Sequence, residues 1–136
     1  MVTIEQVPAY VVWPIRHKVM YPQEDFDFVK LPDDERGTHL ALFAGNDLLS
    51  VISLFQKDSD LQFRKFATKQ EFQGRGYGSE LLRHVIQYAR QQGTTRIWCN
   101  ARTSAIVFYS KFGFRPANKT FTKNGIDYTV MELRIS

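Results

Sequence analysis

The sequence predicts an α+β fold: a mixed, mostly antiparallel central sheet with helices on both faces, in the order β-α-βββ-α-β-α-ββ. Three observations predict it. Three apolar runs separated by short polar turns fill residues 38–68. A strongly periodic helical segment follows at 77–92. Two alternating runs near the end are joined by Asn124-Gly125. The length, 136 residues, fits one domain over 1–136, and no internal repeat, low-complexity tract or linker breaks it.

The elements follow in order. Val2 to Val7 alternates imperfectly and reads as a first strand. Residues 8–20 carry apolar side chains at helical spacing (Val12, Ile15, Val19), with Pro14 predicting a broken or late-starting helix. Residues 21–36 are acidic and proline-bearing, a long loop with room for a short helical turn. The runs 38–44, 48–56 and 61–68 are then strands of an antiparallel meander, with Gly45-Asn46-Asp47 and Lys57-Asp58-Ser59-Asp60 as turns. In the third run Leu61 and Phe63 share one parity, Phe66 and Thr68 the other. One extra residue at Arg64-Lys65, a β-bulge, produces that change.

In the helical segment, Leu81, Leu82, Val85, Ile86 and Ala89 fall on one face, and Gly93 supplies the stop. Residues 94–101 form a strand. Thr103 or Ser104 is placed to cap a further helix with Ala105, Phe108, Tyr109 and Phe112 on one face, ended by Gly113. Asn124-Gly125 is a two-residue hairpin turn. The strand–helix–strand unit 61–101 requires a right-handed crossover and one parallel pairing.

Composition bounds the function. The chain is 43% hydrophobic and 24% charged, with no apolar run near the ~20 residues of a spanning helix and no signal-peptide pattern at Met1–Val7. One cysteine, Cys99, makes neither an internal disulfide nor a cysteine-cluster metal site, so no metal is expected and a cytoplasmic location is. As a residue of an apolar strand, Cys99 reads as core and not as a nucleophile. The net charge of +4 is scattered along the chain, and permits a polyanionic partner, either nucleic acid or a phosphorylated small molecule.

The chemistry concentrates in F-Q-G-R-G-Y-G-S, residues 72–79, between a strand and the best helix. The first helical amides lack partners and the helix dipole adds about half a positive charge, so phosphate fits there. Spacing excludes two common phosphate loops. No Gly-Lys-Ser/Thr follows, as a Walker loop requires, and the third glycine of a dinucleotide fingerprint falls on Ser79. The acidic residue expected about 20 positions on is absent as well.

The stretch Gln73-Gly-Arg-Gly-Tyr-Gly78 resembles the phosphate motif Q/R-x-x-G-x-G/A of the GCN5-related N-acetyltransferases, the GNAT superfamily. Ser79-Glu-Leu-Leu82 is similar to the opening of the family's next helix, and 101–114 (A-R-T-S-A-I-V-F-Y-S-K-F-G-F) to its A-x-x-F-Y-x-K-x-G-F segment. The two segments stand in the family's order and spacing, and the element order matches nearly the whole chain.

The resemblance implies the acyl-CoA N-acyltransferase fold and transfer of an acetyl group from acetyl-CoA, the cosubstrate, to a primary amine of a small molecule or peptide by direct attack. It implies that the backbone of Gln73, Gly74, Arg75, Gly76, Tyr77, Gly78 and Ser79 holds the diphosphate, and that Phe66, Ala67 and Thr68 hydrogen-bond the pantetheine arm. Arg75, Arg102, Lys111 and Asn100 are further cofactor candidates, although the family often has Asn where Arg102 stands.

Tyr109 matches the family tyrosine proposed to serve the departing thiolate. A phenol has an ordinary pKa near 10, above a thiol's 8.5, so it keeps its proton to donate. The base is less marked: some relatives carry Glu on the strand before the loop, where this chain has Arg64, Lys65 and Thr68. His39, and after it His17, are the candidates by pKa. Glu24, Asp25 and Asp27 read either as a solvated loop or as charges that attract a cationic amine. Dimers are common in the family, so a homodimer is one candidate assembly, with neither nucleic acid nor membrane as a partner. The alternative of another class is a non-catalytic acyl-CoA-binding sensor on the same fold. A basic nucleic-acid-binding domain is the third reading, without a stacking-motif strand to support it.

Overall fold

In the computed structural model, which describes residues 1–135, the elements follow the predicted order. β1 (Val2–Val7) leads into α1 (Ala9–Ile15). β2 (Thr38–Ala44), β3 (Asp47–Lys57) and β4 (Asp60–Thr68) come next, then α2 (Tyr77–Gln91), β5 (Arg96–Arg102), α3 (Ile106–Ser110), β6 (Arg115–Lys123) and β7 (Ile126–Arg134). The strands form a mixed seven-stranded sheet in the order β1-β2-β3-β4-β5-β7-β6. β4 and β5 pair in parallel, Asp60–Gln62 against Arg96–Trp98. The pairs β1/β2, β2/β3, β5/β7 and β6/β7 are antiparallel. The chain divides into two compact units, Met1–Phe55 with Arg64–Val85, and Gln56–Phe63 with the chain from Ile86 onward. It passes from one to the other within β3, β4 and α2.

In the first unit, Val12 and Ile15 of α1 pack with Ala41, Val51 and Ala67, flanked by Val7, Trp13, Val19 and Met20. Full burial of such a side chain stabilises by about 1.5–3 kcal/mol. Pro14 lies inside α1 and has no N–H to give the preceding turn. The helix does not stop there. It widens into a π-helical turn over Arg16–Met20, whose end is marked by the Tyr21 N–H on the carbonyls of Arg16 and His17, both at 3.2 Å. The loop beyond carries two 3₁₀ turns, Phe26–Val29 and Asp34–Arg36. The β2–β3 turn is Gly45-Asn46, with Gly45 at φ +61°.

The predicted irregularity in β4 is present. Lys65 takes φ +55° in mid-strand, a left-handed residue of the kind a bulge carries. Beyond it, Ala67 enters the cluster with Val12 and Ile15, while Phe66 and Thr68 approach Gly78 of α2.

α2 buries Leu81, Leu82, Val85 and Ala89, the face read from its spacing. Gly93, at φ +75°, ends it in a Schellman arrangement: the Thr94 N–H bonds the Ala89 carbonyl and the Gly93 N–H that of Arg90. Thr94 therefore belongs to the helix stop, and β5 starts later than expected, at Arg96.

α3 also differs from expectation. Neither Thr103 nor Ser104 caps it; both lie in a 3₁₀ turn over Thr103–Ala105, and Ala105 stands at the N-cap without a side-chain bond. The Thr103 hydroxyl instead meets that of Thr129 at 2.9 Å, which withdraws it from the helix end. Gly113 closes α3 in a second Schellman arrangement, with the Phe114 N–H on the Tyr109 carbonyl and the Gly113 N–H on that of Ser110. In the last hairpin Lys123 faces Ile126, and both Asn124 and Gly125 have positive φ, as a type I′ turn requires.

Candidate active site

The glycine loop is built by the end of β4, a 3₁₀ turn over Gln70–Phe72, and the first turn of α2. Gly74 has φ +76° and Gly76 φ +87°, conformations that side chains with a Cβ disfavour. No atom lies within 4 Å of where either Cβ would stand. Backbone conformation, not crowding, is therefore what demands glycine at these two positions. The first bond of α2 runs from the Glu80 N–H to the Gly76 carbonyl at 3.0 Å. The amides of Tyr77, Gly78 and Ser79 precede it and lack an intrahelical acceptor.

Gly78 has a different reason. Its added Cβ would touch Phe66 and Thr68, each at 3.4 Å, which is ordinary contact. An alanine fits there, in keeping with the G/A of the motif. The Gln73 amide Nε2 donates to the Thr68 carbonyl at 2.9 Å and ties the loop to β4. Ser50, fully buried, donates to the Ala67 carbonyl at 3.1 Å and meets the Thr68 hydroxyl at 2.8 Å. The exposed Arg75 lies over the Phe72 ring, which stands edge-on to Tyr77. Phe66, Ala67, Thr68 and Gln73–Ser79 are thus brought together in one unit.

His39 is placed elsewhere. It is buried, its Nε2 donates to the Asp34 carbonyl at 2.9 Å, and its Nδ1 accepts from the Ser53 hydroxyl at 2.7 Å. A carbonyl only accepts, so the proton sits on Nε2, and both ring nitrogens are engaged. This geometry counts against His39 as a base. His17 bonds the Glu24 carbonyl through Nε2 at 2.7 Å.

Both histidines border a network that the charge pattern did not reveal. Arg16 is fully buried. Its Nη1 donates to Asp34 Oδ2 (2.8 Å) and the Val29 carbonyl (2.9 Å), and its Nη2 to Asp34 Oδ1 (2.9 Å) and Ser53 Oγ (2.8 Å). Asp34 also accepts from Trp13 Nε1 and the Leu31 N–H, both at 2.9 Å. Burial raises the Asp34 pKa, but these bonds and the Arg16 charge outweigh it and hold the carboxyl at about 2. The signal for Arg16 lay in its position, four residues from Val12 on the apolar face of the first helix.

In the second unit, Tyr109 is half-buried among the rings of Phe63, Phe108 and Phe114, at centroid distances of 5.8, 5.1 and 5.8 Å. Burial, and secondarily Cys99, push its pKa upward. Its hydroxyl makes no hydrogen bond among the described residues. Cys99 is buried, and burial alone pushes its thiol up to about 12. Asn100 is exposed on β5 and lines a groove of about 470 Å³ with Trp98, Lys119 and Phe121. Lys111 and Arg102 are exposed. Among the described residues no group of His, Cys, Asp or Glu could hold a metal ion, and no helix is long and apolar enough to cross a membrane.

The comparisons agree with the topology. Residues 17–135 match the model of the acetyltransferase (GNAT) domain. The chain belongs to this family and is an acyltransferase enzyme. It is 26% identical over 135 residues, 93% of this chain and 91% of the other, to the uncharacterized N-acetyltransferase YitI of Bacillus subtilis (strain 168). Two solved structures share the fold. The ribosomal-protein-S18-alanine N-acetyltransferase of Escherichia coli has a TM-score of 0.82 at 21% identity, covering 100% of this chain and 95% of that one. A GNAT family acetyltransferase of Elizabethkingia anophelis, with acetyl-CoA bound, has a TM-score of 0.77 at 18% identity, covering 98% of each.

Proposed function

We propose that this enzyme transfers the acetyl group of acetyl-CoA to a primary amine of a small molecule or peptide. The observation that carries the reading is the pair of left-handed glycines, Gly74 and Gly76, at the mouth of α2. Positive φ at both, with no atom within 4 Å of where either Cβ would stand, leaves the backbone open to close approach by a diphosphate. The backbone from Gln73 to Ser79 holds that group, and Phe66, Ala67 and Thr68 hydrogen-bond the pantetheine arm. The acetyl-CoA bound to the Elizabethkingia anophelis protein supports this cosubstrate.

The amine attacks the thioester carbonyl directly, and the thiolate leaves. The one cysteine supports direct attack: a core thiol held at about 12 is not an acetyl carrier at neutral pH. Tyr109 donates its phenolic hydrogen to the developing thiolate. With its pKa raised above the ordinary 10, it acts as a hydrogen-bond donor to the charge and retains its proton. Solvent takes the ammonium proton, since the described geometry occupies His39 on both nitrogens.

Calorimetric titration with acetyl-CoA tests the reading. Gly76→Val forces a β-branched residue to φ +87° and abolishes binding, while circular dichroism shows a folded chain. Unaltered affinity in a folded variant would remove the loop from the account.

A further inference from the structure

Among the described residues, four other than glycine have positive φ: Asp58, Lys65, Asn118 and Asn124. Three are Asp or Asn, which visit this region readily. Lys65 is the exception, and it lies within a strand and not in a turn. Backbone strain of this kind persists where the surroundings impose it, and it concentrates at functional positions.

What the strain achieves is visible in two neighbouring cations. Arg64 turns to the Phe55 ring and to Asp33, 3.6 Å away, so it has a carboxylate partner. Lys65 is half-buried and has none among the described residues. Its Nζ donates to the Tyr21 hydroxyl at 2.5 Å and lies 4.7 Å from the centre of that ring. Tyr21 is in turn braced edge-on by Phe28, at 5.0 Å, and Phe28 is about half exposed. A partly desolvated ammonium without a counter-ion is costly, and a neutral phenol compensates it only in part. The phenol retains a proton to donate. The pair therefore offers an anion two donors, one charged and one neutral, beside an aromatic wall. It adjoins Phe66, Ala67 and Thr68 in sequence.

We propose that Lys65 and Tyr21 form a carboxylate-binding subsite, so that the acceptor is an amine that also carries a carboxylate, as an amino acid does. The inference rests on the acetyl-transfer reading and names its substrate class. Lys65 binds the carboxylate by charge; Tyr21 fixes its orientation. The acidic residues Glu24 and Asp25 of the same loop remain exposed, and the ammonium end of such an acceptor is the group they suit.

The test compares the standard amino acids with their carboxamides as acceptors, by thiol release from acetyl-CoA, in the wild type, Lys65→Met and Lys65→Asn. Asparagine accepts the left-handed backbone and guards against a variant that merely misfolds. The wild type prefers the acid over its amide by roughly tenfold or more in kcat/KM. Both variants lose that preference while the affinity for acetyl-CoA is kept. Direct titration with the amine-free carboxylates acetate and succinate gives a second readout, binding to the wild type and not to the variants. Preserved preference in the variants overturns the subsite, and so does an equal use of acids and amides by the wild type. If no amine is acetylated at all, the transfer reading fails. The titration then decides the subsite alone, and absence of carboxylate binding overturns it.

Discussion

Asp34→Asn removes the charge that Arg16 is folded around, and its cost follows from the structure. Arg16 is fully buried, and Asp34 accepts both of its Nη donors, the Trp13 indole and the Leu31 amide. Asparagine keeps the shape but presents one amide group as a donor to these donors, leaving the guanidinium unneutralised. The lowering of the carboxyl from an ordinary 3.8 to about 2 is worth about 2 kcal/mol, at about 1.4 kcal/mol per pH unit. Removal of one partner of a buried pair costs about 3–5 kcal/mol. The expected loss is therefore about 2–5 kcal/mol, a large share of the roughly 5–15 kcal/mol of a native domain.

The sign with pH is fixed. The folded-state pKa is depressed, so the contribution is present above pH 3.8 and lost as pH falls toward 2. Urea unfolding at neutral pH and in steps from pH 5 to pH 2 measures both quantities. The gap between wild type and variant is large at neutral pH and narrows across that interval. A variant that loses less than about 1 kcal/mol at neutral pH, or a gap that does not narrow, would refute the reasoning.

Other outcomes follow from single side chains. Tyr109→Phe lowers turnover by about a hundredfold or more in steady-state assays, with little change in acetyl-CoA affinity or stability, because the hydroxyl has no partner among the described residues and its loss breaks no internal bond. Unchanged turnover would reject Tyr109 as the donor to the thiolate. Cys99, buried and with its thiol at about 12, resists iodoacetamide at neutral pH until the chain unfolds, and modification under native conditions would contradict its place in the core.

Much of this was legible in the sequence, and the reasons are specific. Periodicity placed α2, since Leu81, Leu82, Val85 and Ala89 are buried as their spacing requires. Turn chemistry placed Gly93, Gly113 and Asn124-Gly125, where backbone conformation dictates the residue. The parity change at Arg64-Lys65 marked the left-handed residue of β4. What escaped was set by distant side chains. Arg16 looked like one scattered cation until Asp34, eighteen positions away, neutralised it. Thr103 had the chemistry of a cap, but Thr129 on β7 engages its hydroxyl. His39 had a suitable ordinary pKa, yet Ser53 and Asp34 engage both nitrogens. Local pattern reports local preference; burial and long-range partners decide the role of a polar group.

The measurement closest to the central claim is thiol release from acetyl-CoA as amines are added in excess over enzyme. Acetyl transfer predicts release that depends on the amine, exceeds one equivalent per enzyme, and equals the acetylated amine formed. Tight binding of acetyl-CoA without amine-dependent release across a broad amine panel would contradict it, and would leave a protein that binds the thioester but does not transfer its acetyl group.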